Sequence, residues 1–312
     1  MQNASPVMPM VQTSPPSLAA CTEHLRPQIE AALAARVVMG ARCSPRLHEA
    51  MAYSLLAPGK RLRPLLTLLA SEACGGETER AMPAACAVEM VHAYSLIHDD
   101  LPAMDDDDLR RGRPTCHKVF GEALAILAGD ALLALAFEVL ANEIQPPQLA
   151  AACCAALAAA AGPCQLVGGQ ADDLAAEHAE TPPAIQGLSE LESIHQRKTG
   201  AMIRVSLRLG AMTAGARPRQ LAALDDYGQR LGLAFQITDD LLDVRSTEVA
   251  TGKRVGKDAD RGKLTFPCLL GLEASAARAE QLISEACETL LPFGTPAAGL
   301  DALARYVLER NR

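Results

Sequence analysis

Two clusters of aspartate stand where the pattern of their neighbours asks for apolar side chains. The first reads Asp99-Asp100-Leu101-Pro102-Ala103-Met104-Asp105 and continues through Asp106, Asp107 and Asp108. The second reads Asp239-Asp240-Leu241-Leu242-Asp243. Val88, Val91 and Ser95 trace one helical face, and the next position on that face is Asp99. Leu221, Leu224, Gly228, Leu231 and Phe235 trace another at alternating steps of three and four, and it continues into Asp239 and Asp243. A carboxylate in a core-facing stripe is costly unless it is paired or holds a metal ion. One such cluster reads equally well as a solvated helix end, but two, each beside an apolar stripe, point to cation binding. Asp99 and Asp105 would face about 240° apart on an unbroken helix, at ~100° per residue. Pro102 supplies a break, and looping out two residues restores the i, i+4 relation. Oxygen ligands alone suit Mg²⁺, and no His or Cys spacing suggests zinc.

Basic residues flank these acids. Gly59-Lys60-Arg61-Leu62-Arg63-Pro64 lies in a predicted helix connection, and Arg110-Arg111-Gly112-Arg113-Pro114 follows the first cluster. Residues 245–263 hold six Lys or Arg (Arg245, Lys253, Arg254, Lys257, Arg261, Lys263) against three acids. Any one of these segments reads readily as a solvated loop. Carboxylates for Mg²⁺ beside Arg and Lys forks are, together, the parts of a diphosphate site. The absence of a Walker-type glycine-rich loop disfavours a nucleoside triphosphatase.

The elements that must carry these residues read as helices throughout. The chain has 312 residues, 49% hydrophobic, 21% charged and only 3% aromatic, with no Trp. Few aromatic and β-branched residues argue against an all-β fold and against nucleic-acid binding by base stacking. With 29 basic and 37 acidic residues the net charge is −8, so an anionic ligand needs a local basic cluster or a metal. Residues 1–20 lack Lys, Arg, Asp and Glu and read as a disordered leader, leaving 21–312 as one all-α domain of ten or more helices. Expected boundaries are Ser44-Pro45 opening a helix that stops before Pro58-Gly59, a second from about Pro64 to Gly75, a third from Thr78 to about Asp100, a capping box at Ser189 and Glu192, and a long helix from Pro218. The ten cysteines form no CxxC pair, and with no secretory signal they read as reduced thiols of a cytoplasmic protein. The apolar run 149–161 is too short for a bilayer, which needs ~20 residues, and reads as a buried helix.

These motifs resemble the trans-isoprenyl diphosphate synthase family, most closely its bacterial farnesyl diphosphate synthases. The resemblance rests on both Asp-rich motifs, the second preceded by Phe235-Gln236, on Arg110-Arg111-Gly112, on the element 59–64, on Lys198-Thr199-Gly200, and on Gly168-Gly169-Gln170 with Asp173. It covers roughly 21–312. Asp172 and Leu264 depart from the family pattern, and neither is an expected ligand.

The resemblance implies a helical bundle of the isoprenoid synthase type around a central cavity. It also implies condensation of isopentenyl diphosphate with dimethylallyl or geranyl diphosphate through an allylic carbocation. Three Mg²⁺ ions, replaceable by Mn²⁺, would be held by Asp99, Asp105 and Asp239, with Asp100, Asp240 and Asp243 as ligands or supports. Arg110, Lys198 and Lys253 would hold the allylic diphosphate, with Lys263 in the same basic segment. Lys60, Arg63, His92 and Arg111 would hold isopentenyl diphosphate. Thr199, Gln236 and backbone carbonyls freed near Gly200 would stabilise the cation, and the released diphosphate would take the proton. His98 reads equally as a site residue or an ordinary helix residue. Segment 245–263 and Arg310-Asn311-Arg312 are the expected closing parts. Tyr94 and Ser95 lie five and four residues before Asp99, and the aromatic ring favours a fifteen-carbon product. Geranyl and geranylgeranyl diphosphate are the alternative products. A terpene cyclase or an inactive synthase subunit fits less well, because both acidic motifs and the 59–64 element are intact. The family implies a homodimer, and no nucleic-acid partner or membrane span is expected.

Overall fold

A computed structural model describes residues 17–177, 187–245 and 265–309. Lys253, Lys263 and the rest of 246–264, Arg310-Asn311-Arg312, and residues 1–16 of the expected leader lie outside the described residues. The architecture is all-α: α1 (Leu18–Thr22), α2 (Leu25–Arg36), α3 (Pro45–Leu55), α4 (Leu62–Ala73), α5 (Thr78–Asp99), α6 (Cys116–Phe120), α7 (Glu122–Glu143), α8 (Pro147–Ala161), α9 (Leu166–Glu177), α10 (Leu188–His195), a π turn (Gln196–Gly200), α11 (Ala201–Thr213), α12 (Pro218–Arg245), α13 (Phe266–Leu270), α14 (Leu272–Thr289) and α15 (Ala298–Glu309). Among the described residues the only sheet is the hairpin Leu109–Arg110 with Arg113–Pro114. Its two-residue strands are too short to show alternation in the sequence.

The expected starts hold at Ser44-Pro45 and Pro218. The capping box does not form: α10 begins at Leu188 after Gly187, whose φ of 100° only glycine adopts readily. Ser189 therefore lies inside the first turn. α5 packs between α4 and α7, while α11 lies against α4, α5, α8 and α12, and α12 against α14. One contiguous apolar core runs through these helices. Tyr227 of α12 is fully buried and its hydroxyl donates to the Leu300 carbonyl at 2.7 Å, tying α12 to α15.

The stretches Glu122–Glu143 and Pro147–Ala175 are long and apolar enough to cross a membrane. The second joins the short run 149–161 to the helix after it. Both supply buried residues to the bundle, among them Leu132, Leu140, Cys153 and Leu157. All ten cysteines are free thiols.

Candidate active site

α5 ends at Asp99, and the chain reverses at once. The Asp105 N–H donates to the Asp99 carbonyl at 2.8 Å, and the Asp107 N–H to that of Asp100 at 3.2 Å. The break around Pro102 thus folds Asp105 back toward Asp99. Burial pushes the Asp99 carboxyl up to about 6; Asp105 and Asp100 add to this, against the pull of Lys198 and Arg110. An acid held above its usual range by burial and like charge, in spite of Lys198 and Arg110, would be relieved by a further cation, so these residues fit a divalent ion.

Asp100 behaves differently. It is 3% exposed, and both carboxylate oxygens accept from Arg110 Nε at 2.7 and 2.9 Å, with Nη2 2.5 Å from Oδ1. This fork–fork pair pins the adjoining hairpin. The hairpin turns at Arg111 and Gly112, with φ of 54° and 74°, the left-handed pair that two-residue loops need. Arg111 Nη1 then donates to the Pro58 carbonyl at 2.9 Å. Gly59 lies against the Arg111 guanidinium so closely that a Cβ would come within 2.4 Å of it. The 59–64 and 110–114 elements, about 50 residues apart in sequence, therefore touch.

Around them the structure gathers cations. Arg63 and Arg111 are both pushed down by burial, and each lowers the other or is lowered by a neighbouring guanidinium. His92 is held well below its usual value by burial and then by Arg63, Arg111, Arg110 and Arg61. A neutral imidazole among guanidiniums is an arrangement for an anion. A pocket with about 530 Å³ of empty space, partly open to solvent, opens here between α3, α5 and the hairpin, with His92, Arg110, Arg111 and Asp100 in its wall. Arg61 does not join the anion-facing set. It is buried with a left-handed backbone (φ 51°), and it bonds Glu30 at 2.7 Å and Glu89 at 2.8 Å. Lys60 is exposed, its ammonium 5.6 Å from the Tyr306 ring centre.

The second cluster rides an unbroken helix. Asp239 and Asp243 are half-buried on one face of α12, and Asp239 is near enough to Arg63 to act on it. Asp240, 6% exposed, turns elsewhere and accepts the Phe266 N–H at 3.0 Å. The Phe266 ring stacks on the buried His195, centroids 5.7 Å apart. His195 precedes the π turn that carries Lys198 and Thr199. Lys198 Nζ bonds Asp173 at 2.6 Å. Thr199 and Gln236 are half-buried on the π turn and α12, which pack together.

Several residues near the site have no role assigned from the sequence. Asp173, a motif residue given no role, is the partner of Lys198. Gln170 is 8% exposed with neither amide atom hydrogen-bonded. His117, a buried ring, has a nitrogen within 4.8 Å of carboxylate oxygens of Asp106 and Asp108, so a histidine does join acids here. Asp108 is meanwhile ion-paired to Lys118 at 2.7 Å. The departure at Asp172 pairs with Arg197 at 2.5 Å. His98 bonds the Ile126 carbonyl at 3.0 Å and packs edge-on to Tyr94, rings 5.1 Å apart. His98 thus locks α5 to α7. Tyr94 is half-buried, and the Ser95 hydroxyl donates to the His92 carbonyl at 2.9 Å.

Comparison with known proteins gives one answer. Residues 44–289 match the polyprenyl synthetase family model. Farnesyl diphosphate synthase of Escherichia coli (strain K12) is 48% identical over 271 residues, covering 85% of this chain and 89% of that protein. The heterodimeric geranylgeranyl pyrophosphate synthase large subunit 1, chloroplastic, of Arabidopsis thaliana is also 48% identical over 271 residues, covering 85% and 72%. Among solved structures, an FPP/GFPP synthase from Zymomonas mobilis superposes with a TM-score of 0.83 at 40% identity, covering 93% of this chain and 98% of that one. With acids and cations gathered as described, and with matches of this extent, the chain belongs to the polyprenyl synthetase family.

Proposed function

We propose that this chain condenses isopentenyl diphosphate with dimethylallyl and then geranyl diphosphate to give farnesyl diphosphate. The observation that carries the reading is the juxtaposition of two acidic clusters with the Arg63–Arg111–His92 group. Mg²⁺ is the proposed ion, with Asp99, Asp105, Asp239 and Asp243 as its holders. Bound there, it would neutralise charge growing on the leaving diphosphate.

The protein's own residues do the rest. Arg63, Arg111, His92 and Lys60 hold isopentenyl diphosphate. Arg110 and Lys198 face the allylic diphosphate, each steadied by an acid, Asp100 and Asp173. Thr199, Gln236 and the carbonyls of the π turn offer fixed dipoles to the allylic cation and no nucleophile that would trap it. Released diphosphate accepts the proton, so no histidine is needed as base.

Product length rests on Tyr94. It stands about 7.5 Å along α5 from Asp99 at 1.5 Å per residue, where a chain leaving the ions would meet its ring. Twenty carbons is the second reading, supported by plant geranylgeranyl relatives as similar as the farnesyl ones. Turnover of isopentenyl diphosphate with each allylic primer, with and without excess chelator, tests the reaction. Mg²⁺-dependent fifteen-carbon product is expected, and turnover undiminished by chelator refutes the metal assignment. Tyr94→Ala should lengthen the product by steric relief; an unchanged fifteen-carbon product places the floor elsewhere. We also propose a homodimer, supported by the exposed Ile126 and Leu127 on α7. Sedimentation of the full chain tests it.

A further inference from the structure

The π turn is held from two sides by glycines. On one side Gly169 of α9 meets the Arg197–Lys198 peptide: a Cβ built on Gly169 would lie 2.6 Å from the Lys198 nitrogen and 3.0 Å from the Arg197 carbonyl carbon. On the other, Gly232 of α12 meets the backbone of Gly200, where a Cβ would lie 2.9 Å from its Cα. Both contacts are with backbone, which cannot rotate away as a side chain can. Gly200 itself has no such neighbour. Its own Cβ would meet nothing closer than 3.6 Å, an ordinary van der Waals contact. The glycine inside the turn is thus sterically free, while the two outside it are not.

A π turn inside a helix marks a local departure from the i→i−4 ladder, and such turns favour functional sites. This one carries Lys198, bonded to Asp173 of the same α9 that bears Gly169. Closer helix approach than a methyl allows fixes the turn's height above both neighbours. We propose that Gly169 and Gly232 are positioning residues for prenyl transfer, holding the Lys198–Thr199 backbone at the height where its dipoles meet the allylic cation. The inference rests on the prenyl-transfer reading above. It assigns these glycines to the ionisation step rather than to substrate capture.

The test compares Gly232→Ala and Gly169→Ala with Gly228→Ala in the full-length chain. At Gly228, one turn from Gly232, a Cβ meets the Leu207 side chain at 2.8 Å and Arg204 at 3.0 Å, against α11 and away from the π turn. Melting temperature, kcat, and KM for isopentenyl diphosphate are measured for each, per folded enzyme. A misplacement of a few tenths of an ångström to 1 Å costs up to about 10²-fold in rate. The expected result is a kcat lowered roughly 10-fold or more in Gly232→Ala and Gly169→Ala, with KM within about twofold. Gly228→Ala should lose thermal stability and keep kcat. Equal kcat losses in all three, a loss expressed only in KM, or failure of both Gly232→Ala and Gly169→Ala to fold would each overturn the proposal. Absence of prenyl transfer in the wild type would instead refute the underlying reading.

Discussion

The two acidic clusters reach the same arrangement by opposite means. In the second, the helical period does the work: Asp239 and Asp243 share a face of α12 because they are four residues apart. In the first the helix must end, and a chain reversal closed by the Asp105 N–H on the Asp99 carbonyl substitutes for the missing period. Yet in each the second aspartate leaves the group. Asp100 takes the Arg110 fork and Asp240 takes the Phe266 N–H, and each bond fixes a segment later in the chain. Adjacent carboxylates in one motif thus part company: Asp100 and Asp240 each anchor a distant stretch of backbone, and Asp99 and Asp239 are left as the members that face the ions in the proposed reading.

The sharpest way to break this division is to remove the ion-facing members. Asp99→Ala and Asp239→Ala should each lower kcat by several powers of ten, at ~1.4 kcal/mol per tenfold, with little loss of fold. Near-normal kcat at saturating Mg²⁺ in either variant contradicts the division. The anchoring members should fail in stability instead. Asp100→Ala removes the fork from Arg110 and leaves it only the longer 3.9 Å pair with Asp107, and should cost about 2–4 kcal/mol of stability by denaturant melts. Asp240→Ala should cost about 1–3 kcal/mol, for one unsatisfied buried N–H, and Asp240→Asn, which keeps an acceptor, should recover most of it. If these variants melt normally but lose all turnover, the second aspartates belong with the first.

A third comparison sets acids against cations. Arg63→Ala should raise KM for isopentenyl diphosphate by an amount equivalent to about 1.5–3 kcal/mol and leave the allylic KM nearly unchanged. Equal rises in both would merge the two diphosphate sites. The smallest effect is one of pH in chelator. The Asp99 carboxyl rises from 3.8 to about 6 on folding, so its contribution to stability is full below 3.8 and lost as pH climbs through 6. Asp99→Asn, uncharged throughout, should therefore gain in melting temperature over wild type as pH rises from about 4 to about 7. A difference that does not vary with pH would show that Asp99 is not strained.

Much of this was legible in the residues. The stripes on α5 and α12 run into half-buried acids as their spacing requires, and Pro102 breaks α5 where a break was needed. The destinations of Asp100 and Asp240 were not legible, because no spacing rule tells two adjacent carboxylates apart; their partners lie 10 and 26 residues away. The π turn has no residue signature. The sequence points to Gly200 as a weak place in the helix, whereas the close contacts sit at Gly169 and Gly232. Asp173 escaped assignment because its partner, Lys198, lies on another helix.

Arg61 absorbs both Glu30 and Glu89, so these two acids are kept from the neighbouring guanidiniums of the proposed anion site, inside a chain whose net charge is −8. A diphosphate approaching from bulk solvent first meets repulsion and finds attraction within roughly one Debye length, about 8–10 Å at moderate salt. Association should therefore quicken, not slow, as ionic strength rises from very dilute buffer: dissolved ions hide the distant acids while the close guanidiniums still act.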